Sequence, residues 1–214
     1  MAAIFWSQGR DVIKTDLAGN ELARITDPSF HWGDLGYYKG KVYVAVDHGD
    51  RPSDQYVYVY DAKDLSYITR APVPETTWGA GGLGIDDDGR IIVVGHLPED
   101  EGHDENYAYE YDLELKHIKT HTIASGYTRW GIQTATWSDG FWWFACYGYE
   151  KGPPAKILKT DNAFKLVKTY DLDDYHYAGV GYGFAGIGNG KFLETTFAEG
   201  RHSTTRKATL VTYK

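Results

Sequence analysis

An aromatic-Gly step recurs along this chain at Trp32-Gly33, Trp78-Gly79, Trp130-Gly131 and Tyr182-Gly183. Each step precedes a short apolar stretch, a turn ending in Gly, and then an apolar strand. The turn glycines are Gly40, Gly89, Gly140 and Gly190, which sets a period of about fifty residues. A fixed period of that size marks a repeated supersecondary unit that cannot bury its apolar face alone.

The third copy supplies a template. Trp130 to Trp137 reads as strand A, and Ser138-Asp139-Gly140 as a hairpin turn whose Gly is free to take φ > 0. Phe141 to Tyr147 reads as strand B, Lys156 to Thr160 as strand C and Lys165 to Tyr170 as strand D. Strand B recurs at Lys41 to Val46, Arg90 to Gly95 and Lys191 to Phe197. Strand C recurs at Tyr56 to Tyr60, Tyr107 to Tyr111 and Ala208 to Tyr213. Asp61, Asp112 and Asp161 follow strand C, where a carboxylate can hydrogen-bond the turn backbone. No segment longer than a turn has helical periodicity.

Such units predict an all-β chain folded as a β-propeller, with stacked hairpins in a solenoid as the alternative. Residues 4–26 read as strands B, C and D of an earlier unit, and the last copy stops after strand C. The expectation is a five-bladed β-propeller with incomplete terminal blades, in one domain over 1–214. Its units fall at approximately 1–28, 29–75, 76–126, 127–174 and 175–214. The incomplete blades are neighbours, so either the ring closes across a thinned seam or the sequence is a trimmed part of a longer one, and open blade edges offer a route to self-association.

Composition narrows the partners. Aromatic residues make up 15% of the chain, which suits pleated, half-buried surfaces. The net charge of −8 disfavours a nucleic-acid phosphate surface and an anionic membrane. The single cysteine, Cys146, excludes an intrachain disulfide, and its apolar strand predicts a buried, inert thiol. No apolar run reaches the length of a membrane helix. Residues 1–5 lack the charged and apolar regions of a signal peptide, although a chain beginning after a removed signal would look the same. The compartment therefore stays open.

In an up-and-down meander the A–B and C–D turns share one face, and the D–A and B–C connections share the other. The first set is short and plain. The second is long and holds Asp47-His48-Gly49-Asp50-Arg51, His96 to Asn106, Tyr147 to Pro154 and Glu199 to His202. Function on loops above a rigid scaffold is the usual arrangement, so the site is expected on this second face, over the central channel.

Several residues are candidates there. Trp32, Trp78, Trp130 and Tyr182 could stack on a ligand as a collar, or act as wedges between blades. Their register slips: counted back from Leu35, Leu83, Ala135 and Ala185, the aromatic lies three, five, five and three residues earlier. His31 and Asp34 flank Trp32-Gly33, while Arg129 and Gln133 flank Trp130-Gly131; such polar groups would point into the channel. His96, Tyr147 and His202 add ligand-facing candidates from the loops. If the protein is an enzyme, His31, Asp34 and His48 are its acid–base candidates. No metal ligands are assigned and no cofactor is predicted, although His48, His96, His103 and nearby acids leave a divalent metal in the channel open. The run Glu99 to Glu105 reads as a solvated acidic loop. No nucleophile elbow or phosphate-cradling loop occurs, and Glu194 stands as a lone carboxylate in the last strand B.

The segments HWGDLGYYKGKVYVAV, WGAGGLGIDDDGRIIVVG and WGIQTATWSDGFWWFACYG resemble those of a group of bacterial, often exported, generally uncharacterised β-propeller proteins. More distantly they are similar to NHL or SMP-30-type propellers. The resemblance implies a propeller, carries no activity with it and transfers no catalytic residue. The leading expectation is a propeller that binds a small polar ligand, plausibly a carbohydrate, at the channel mouth. A hydrolase or lyase at the same place and a protein-interaction platform are the alternatives.

Overall fold

The computed structural model describes residues 2–29, 31–48, 54–76, 78–97, 104–128, 130–146, 148, 155–172, 183–197 and 206–213. It is a five-bladed β-propeller. Blade 1 comprises β1 (Ile4–Gln8), β2 (Asp11–Thr15) and β3 (Glu21–Thr26). Blade 2 comprises β4 (His31–Tyr38), β5 (Lys41–Asp47), β6 (Gln55–Asp61) and β7 (Tyr67–Pro72). Blade 3 comprises β8 (Ala80–Ile85), β9 (Ile91–Gly95), β10 (Asn106–Tyr111) and β11 (His117–Ile123). Blade 4 comprises β12 (Ile132–Ser138), β13 (Phe141–Cys146), β14 (Lys156–Thr160) and β15 (Leu166–Asp171). Blade 5 comprises β16 (Phe184–Gly188), β17 (Lys191–Phe197) and β18 (Arg206–Thr212). Every neighbouring pair within a blade is antiparallel.

The second strand of each complete blade carries the core. Its side chains alternate between faces, and each face meets a different neighbouring blade. Val42, Val44 and Val46 of β5 pack with Val12, Trp32, Tyr58 and Tyr60, between blades 1 and 2. Tyr43 and Ala45 of the same strand join Leu83, Ile91 and Val93, between blades 2 and 3. β9 repeats the division, sending Ile92 and Val94 to a cluster with Ile132, Trp142 and Phe144. β13 sends Trp143 and Ala145 to Phe184 and Phe192 of blade 5. Burial on both faces explains why these strands read as continuous apolar runs. Burying each Val, Ile or Phe stabilises by about 1.5–3 kcal/mol.

The C–D turns use one device. Asp112 Oδ1 accepts from the Glu114 and Lys116 amides at 3.1 and 2.8 Å, and Asp161 Oδ1 accepts from Ala163 and Lys165 at 2.9 Å each. An apolar residue near the end of the turn then adopts a left-handed backbone, at Leu65 (φ 62°), Leu115 (φ 62°) and Phe164 (φ 63°). All of these side chains are buried. Blade 1 places Gly19 (φ 88°) there instead.

The inner strands differ from the sequence expectation. β8 begins at Ala80 and β12 at Ile132, each after its Trp-Gly step, whereas Trp32-Gly33 lies inside β4. Gly79 (φ 103°) and Gly131 (φ 82°) take left-handed conformations that a strand cannot continue through, and Gly33 is not among the positive-φ glycines. This is the physical origin of the two-residue slip. Successive inner strands pack β1 on β4, β4 on β8, β8 on β12 and β12 on β16. Among the described residues, blade 5 is not packed on blade 1 to a comparable extent. In blade 1 the strand equivalent to β5, β9 and β13 is β1, which itself takes the innermost place.

Candidate functional site

Each inner strand of blades 2 to 4 carries a β-bulge at the same level. Trp32 pairs with Val46 and Leu35 with Val44, so Gly33 and Asp34 both oppose Ala45. Gly81 is the extra residue in β8, between Ala80 and Gly82, and Gln133 in β12, between Ile132 and Thr134. A bulge re-aims side chains out of the regular alternation. Here the bulges carry Asp34 and Gln133 into the channel, with Gly81 between them leaving space. A Cβ at Gly81 would lie 3.4 Å from both Gln133 Oε1 and His96 Nε2.

Asp34 is tied to three blades. Its Oδ1 accepts from the Leu35 amide at 2.9 Å, its Oδ2 from the Ala135 amide at 3.1 Å, and the Leu83 amide also bonds the carboxylate. These donors favour the charged form, yet removal from water outweighs them and lifts the carboxyl to about 7. The group therefore changes charge close to neutral pH.

His96, at the end of β9, is the second titratable group. Burial pushes its imidazole below the ordinary value; Asp47 opposes the shift and His31 adds to it. Gln133 Nε2 lies 3.4 Å from His96 Nδ1 and 3.4 Å from the Trp130 carbonyl. With its amide hydrogens directed to those acceptors, the neutral ring carries its proton on Nε2. Behind His96 stands Asp47, whose Oδ1 accepts from Gln55 Nε2 at 2.9 Å. Gln55 Oε1 in turn accepts from the Ala80 amide at 2.8 Å. A Cβ at Gly79 would lie 3.3 Å from Asp47 Oδ2 and 3.4 Å from His96 Cδ2, so a residue with free φ and no side chain is needed there.

Asp34, Gly81, His96 and Gln133 line one cleft of about 490 Å³ that opens at the channel mouth and follows the face of blade 1. It brings together His31, Trp32, Asp34, His96 and Gln133 from the sequence-derived candidates. The indole of Trp32 is only 3% exposed and meets Tyr58 and Tyr60 edge-on, at 5.7 and 6.1 Å, so it wedges blade 1 against blade 2. Trp78 is 54% exposed and lies on the outer side of His96, beside Tyr107 and Tyr109. Trp130 is half-buried and contributes its carbonyl to Gln133. The three tryptophans thus occupy three different environments and do not form a collar around the cleft. His48 lies outside it, its ring 4.8 Å from Tyr56 and its Nε2 3.3 Å from the Tyr58 hydroxyl. Arg129, Tyr147, Tyr182 and His202 lie outside the described residues. Glu194 does not line the cleft; it accepts from the Tyr213 hydroxyl at 2.5 Å.

Blade 1 supplies what the sequence reading missed: Trp6, Ser7 and Gln8 of β1, with Thr15, Glu21 and Arg24 behind them. Trp6 Nε1 donates to Thr15 Oγ1 at 2.9 Å, which fixes the indole in the wall. Arg24 is held on its own blade by Asp11 at 2.9 Å and Glu21 at 2.6 Å. The signal for these residues was present. A first unit without strand A leaves its strand B facing the channel. Among the described residues, no three His, Cys, Asp or Glu side chains converge on one point.

No family model and no curated protein matches the chain. Solved structures do. The Myxococcus xanthus glutaminyl cyclase superposes with a TM-score of 0.67 at 9% identity, over 100% of this chain and 88% of that one. A protein of unknown function from Bacteroides caccae gives 0.56 at 11% identity, over 94% and 69%. The arabinanase Arb43A of Bacillus subtilis gives 0.51 at 12% identity, over 96% and 86%. What the chain shares with them is its fold. At these identities the likeness extends no further.

Proposed function

We propose that the cleft binds a small polar ligand and that Asp34 and His96 act on it as proton-transfer groups. The carrying observation is the Asp34 carboxyl, held by backbone amides of three blades in the same cleft as His31, His96 and Gln133. A carboxyl that titrates near 7 suits general acid–base work at neutral pH, and a neutral imidazole with its proton on Nε2 supplies a directed donor. Perturbed titratable groups in a concave, mixed-polarity site are a physical signature of function. Two of the solved neighbours are named as enzymes, a glutaminyl cyclase and an arabinanase, and the chain spans most of each. They give the reading two ligand classes to try first, glutaminyl peptides and arabino-oligosaccharides. A carbohydrate would stack on Trp6, the indole in the cleft wall that is not sealed between blades.

The test is a thermal-shift panel of both classes on the protein, Asp34→Asn and Gln133→Ala. At least one class should raise the melting temperature of the protein, because a ligand that binds the native state alone stabilises it by mass action. The rise should be lost in both variants. A flat response to the whole panel, or a rise that survives both substitutions, counts against the reading. Product formation separates enzyme from binding module: ammonia release from glutaminyl peptides, or reducing ends from arabino-oligosaccharides.

A further inference from the structure

Apolar clusters fill the junctions between blades 1 and 2, 2 and 3, 3 and 4, and 4 and 5. Among the described residues, none joins blade 5 to blade 1. The cleft lies at that junction: the face of blade 1 forms one wall, and Thr195 of blade 5 also lines it.

Blade 1 divides its side chains between two faces, as the other blades do. Val12 is buried toward blade 2, with Phe5, Ala23 and Ile25 packed around the same cluster. The opposite face carries Trp6, Ile13 and Arg24, which are direct partners across three strands: Trp6 pairs with Ile13, and Ile13 with Arg24. All three line the cleft, as do Thr15 and Glu21, a pair from a neighbouring row. A row of this kind spans two strand spacings, roughly 10 Å. The cleft is therefore a trough. It runs from Asp34 and His96 at the channel to Arg24 on the outer strand of blade 1, and it crosses the strands instead of following one.

We propose that the trough takes a linear, uncharged oligosaccharide, whose end unit meets Asp34 and His96 and whose following units lie across blade 1 as far as Arg24. This rests on the reading of the cleft as a ligand site. Three features select the class. Trp6 has its Nε1 bound to Thr15 Oγ1 at 2.9 Å, so what the indole offers a ligand is its ring, which suits stacking on a sugar. Arg24 is held by Asp11 and Glu21, so the outer end sets donors and acceptors side by side, which suits hydroxyls better than an anion. An extended peptide laid across the strands would meet side chains and no strand edge along which to pair its backbone, unlike peptides bound by strand addition.

Calorimetric titration of the intact protein with arabino-, xylo- and cello-oligosaccharides, from disaccharide to hexasaccharide, tests this. In at least one series affinity should rise with length and level off once the chain has passed Arg24. Trp6→Ala should weaken the tetrasaccharide about tenfold, and Trp6→Phe should restore most of the loss. Arg24→Gln should weaken the hexasaccharide about tenfold more than the disaccharide, and Glu21→Gln should act in the same direction. Both residues belong to an exposed ion pair, so these two variants should keep the fold. Equal affinity at every length, no binding in any of the three series, or a length dependence that survives both Trp6→Ala and Arg24→Gln overturns the trough. A length dependence found with glutaminyl peptides and not with sugars overturns the class. Asp34→Asn separates the two readings: it should weaken every length by the same factor. A length dependence that vanishes in Arg24→Gln while Asp34→Asn changes nothing would sink the proton-transfer reading and leave the trough standing. Binding of glutaminyl peptides that needs Asp34, in a protein that binds no oligosaccharide, would do the reverse.

Discussion

A carboxylate that three backbone amides cannot keep fully ionised has consequences for stability as well as chemistry. Asp34 titrates near 7 in the folded chain and near the ordinary 3.8 when unfolded, so the native state holds more protons between those values. Stability must then fall as pH rises through that window, from about 4 to about 7, and level off above it. Asp34→Asn removes this dependence. At pH 5 the protonated carboxyl can still accept at both oxygens, whereas the amide puts a donor-only NH2 where one oxygen stood, so one backbone amide loses its partner and the variant should be about 1–3 kcal/mol less stable at pH 5. The gap between the two proteins should then narrow toward pH 8. Melting curves of both at pH 5, 6, 7 and 8 check this, and a gap that widens with pH would contradict the burial argument. Position at the start of strand A was enough to point His31, Asp34 and Gln133 toward the channel. The bulges that aim Asp34 and Gln133 were not legible. A bulge is one extra residue in a pairing register, and register does not exist until two strands are laid side by side. The role of Asp47 behind His96 was hidden for a similar reason, since it depends on a glycine gap at Gly79.

Among the elements, the C–D turn has the most unusual energetics. Phe164 sits in a left-handed conformation that costs an L-residue about 1–2 kcal/mol, and it is 1% exposed against Trp142, Phe144 and His121. Truncation to Ala forfeits the packing, at about 3–5 kcal/mol, and keeps the backbone strain. Truncation to Gly forfeits the same packing and releases the strain. Phe164→Gly should therefore be more stable than Phe164→Ala by about 1 kcal/mol, the reverse of their usual order within strands. Urea unfolding of both variants decides it, and Ala at or above Gly would show that the turn is not strained. The sequence announced this turn through its Asp and gave no sign of the left-handed residue, because Leu and Phe are poor candidates for φ > 0 and it takes burial together with the hydrogen bonds of the turn to hold them there. Strands read well where burial on both faces made them continuous, as in β9 and β13. Strand A read less well at its start, where Trp78-Gly79 lies at a turn and Trp130-Gly131 at a bend whose Gly makes an isolated bridge to His96, both with a left-handed Gly.

Across the whole molecule, the period yielded five blades because each unit must bury its faces on the next, and that demand is written in the spacing of apolar runs. How the ring meets itself is a different matter, since no local pattern encodes the contact between the last unit and the first. The consequence is uneven stability. Val42–Val46, Ile91–Val94 and Trp142–Cys146 are buried between neighbours on both faces, whereas every residue of β1 is half-buried and, among the described residues, β1 is the end strand of its sheet. Amides in the first group should exchange only through global unfolding, and those of β1 through local opening at the blade 1 side of the seam. Native-state hydrogen exchange read by mass spectrometry should show residues 4–8 exchanging at least about tenfold faster than residues 91–94, a difference of about 1.4 kcal/mol in opening free energy. Equal rates would mean that blade 1 is locked into the ring as firmly as blade 3.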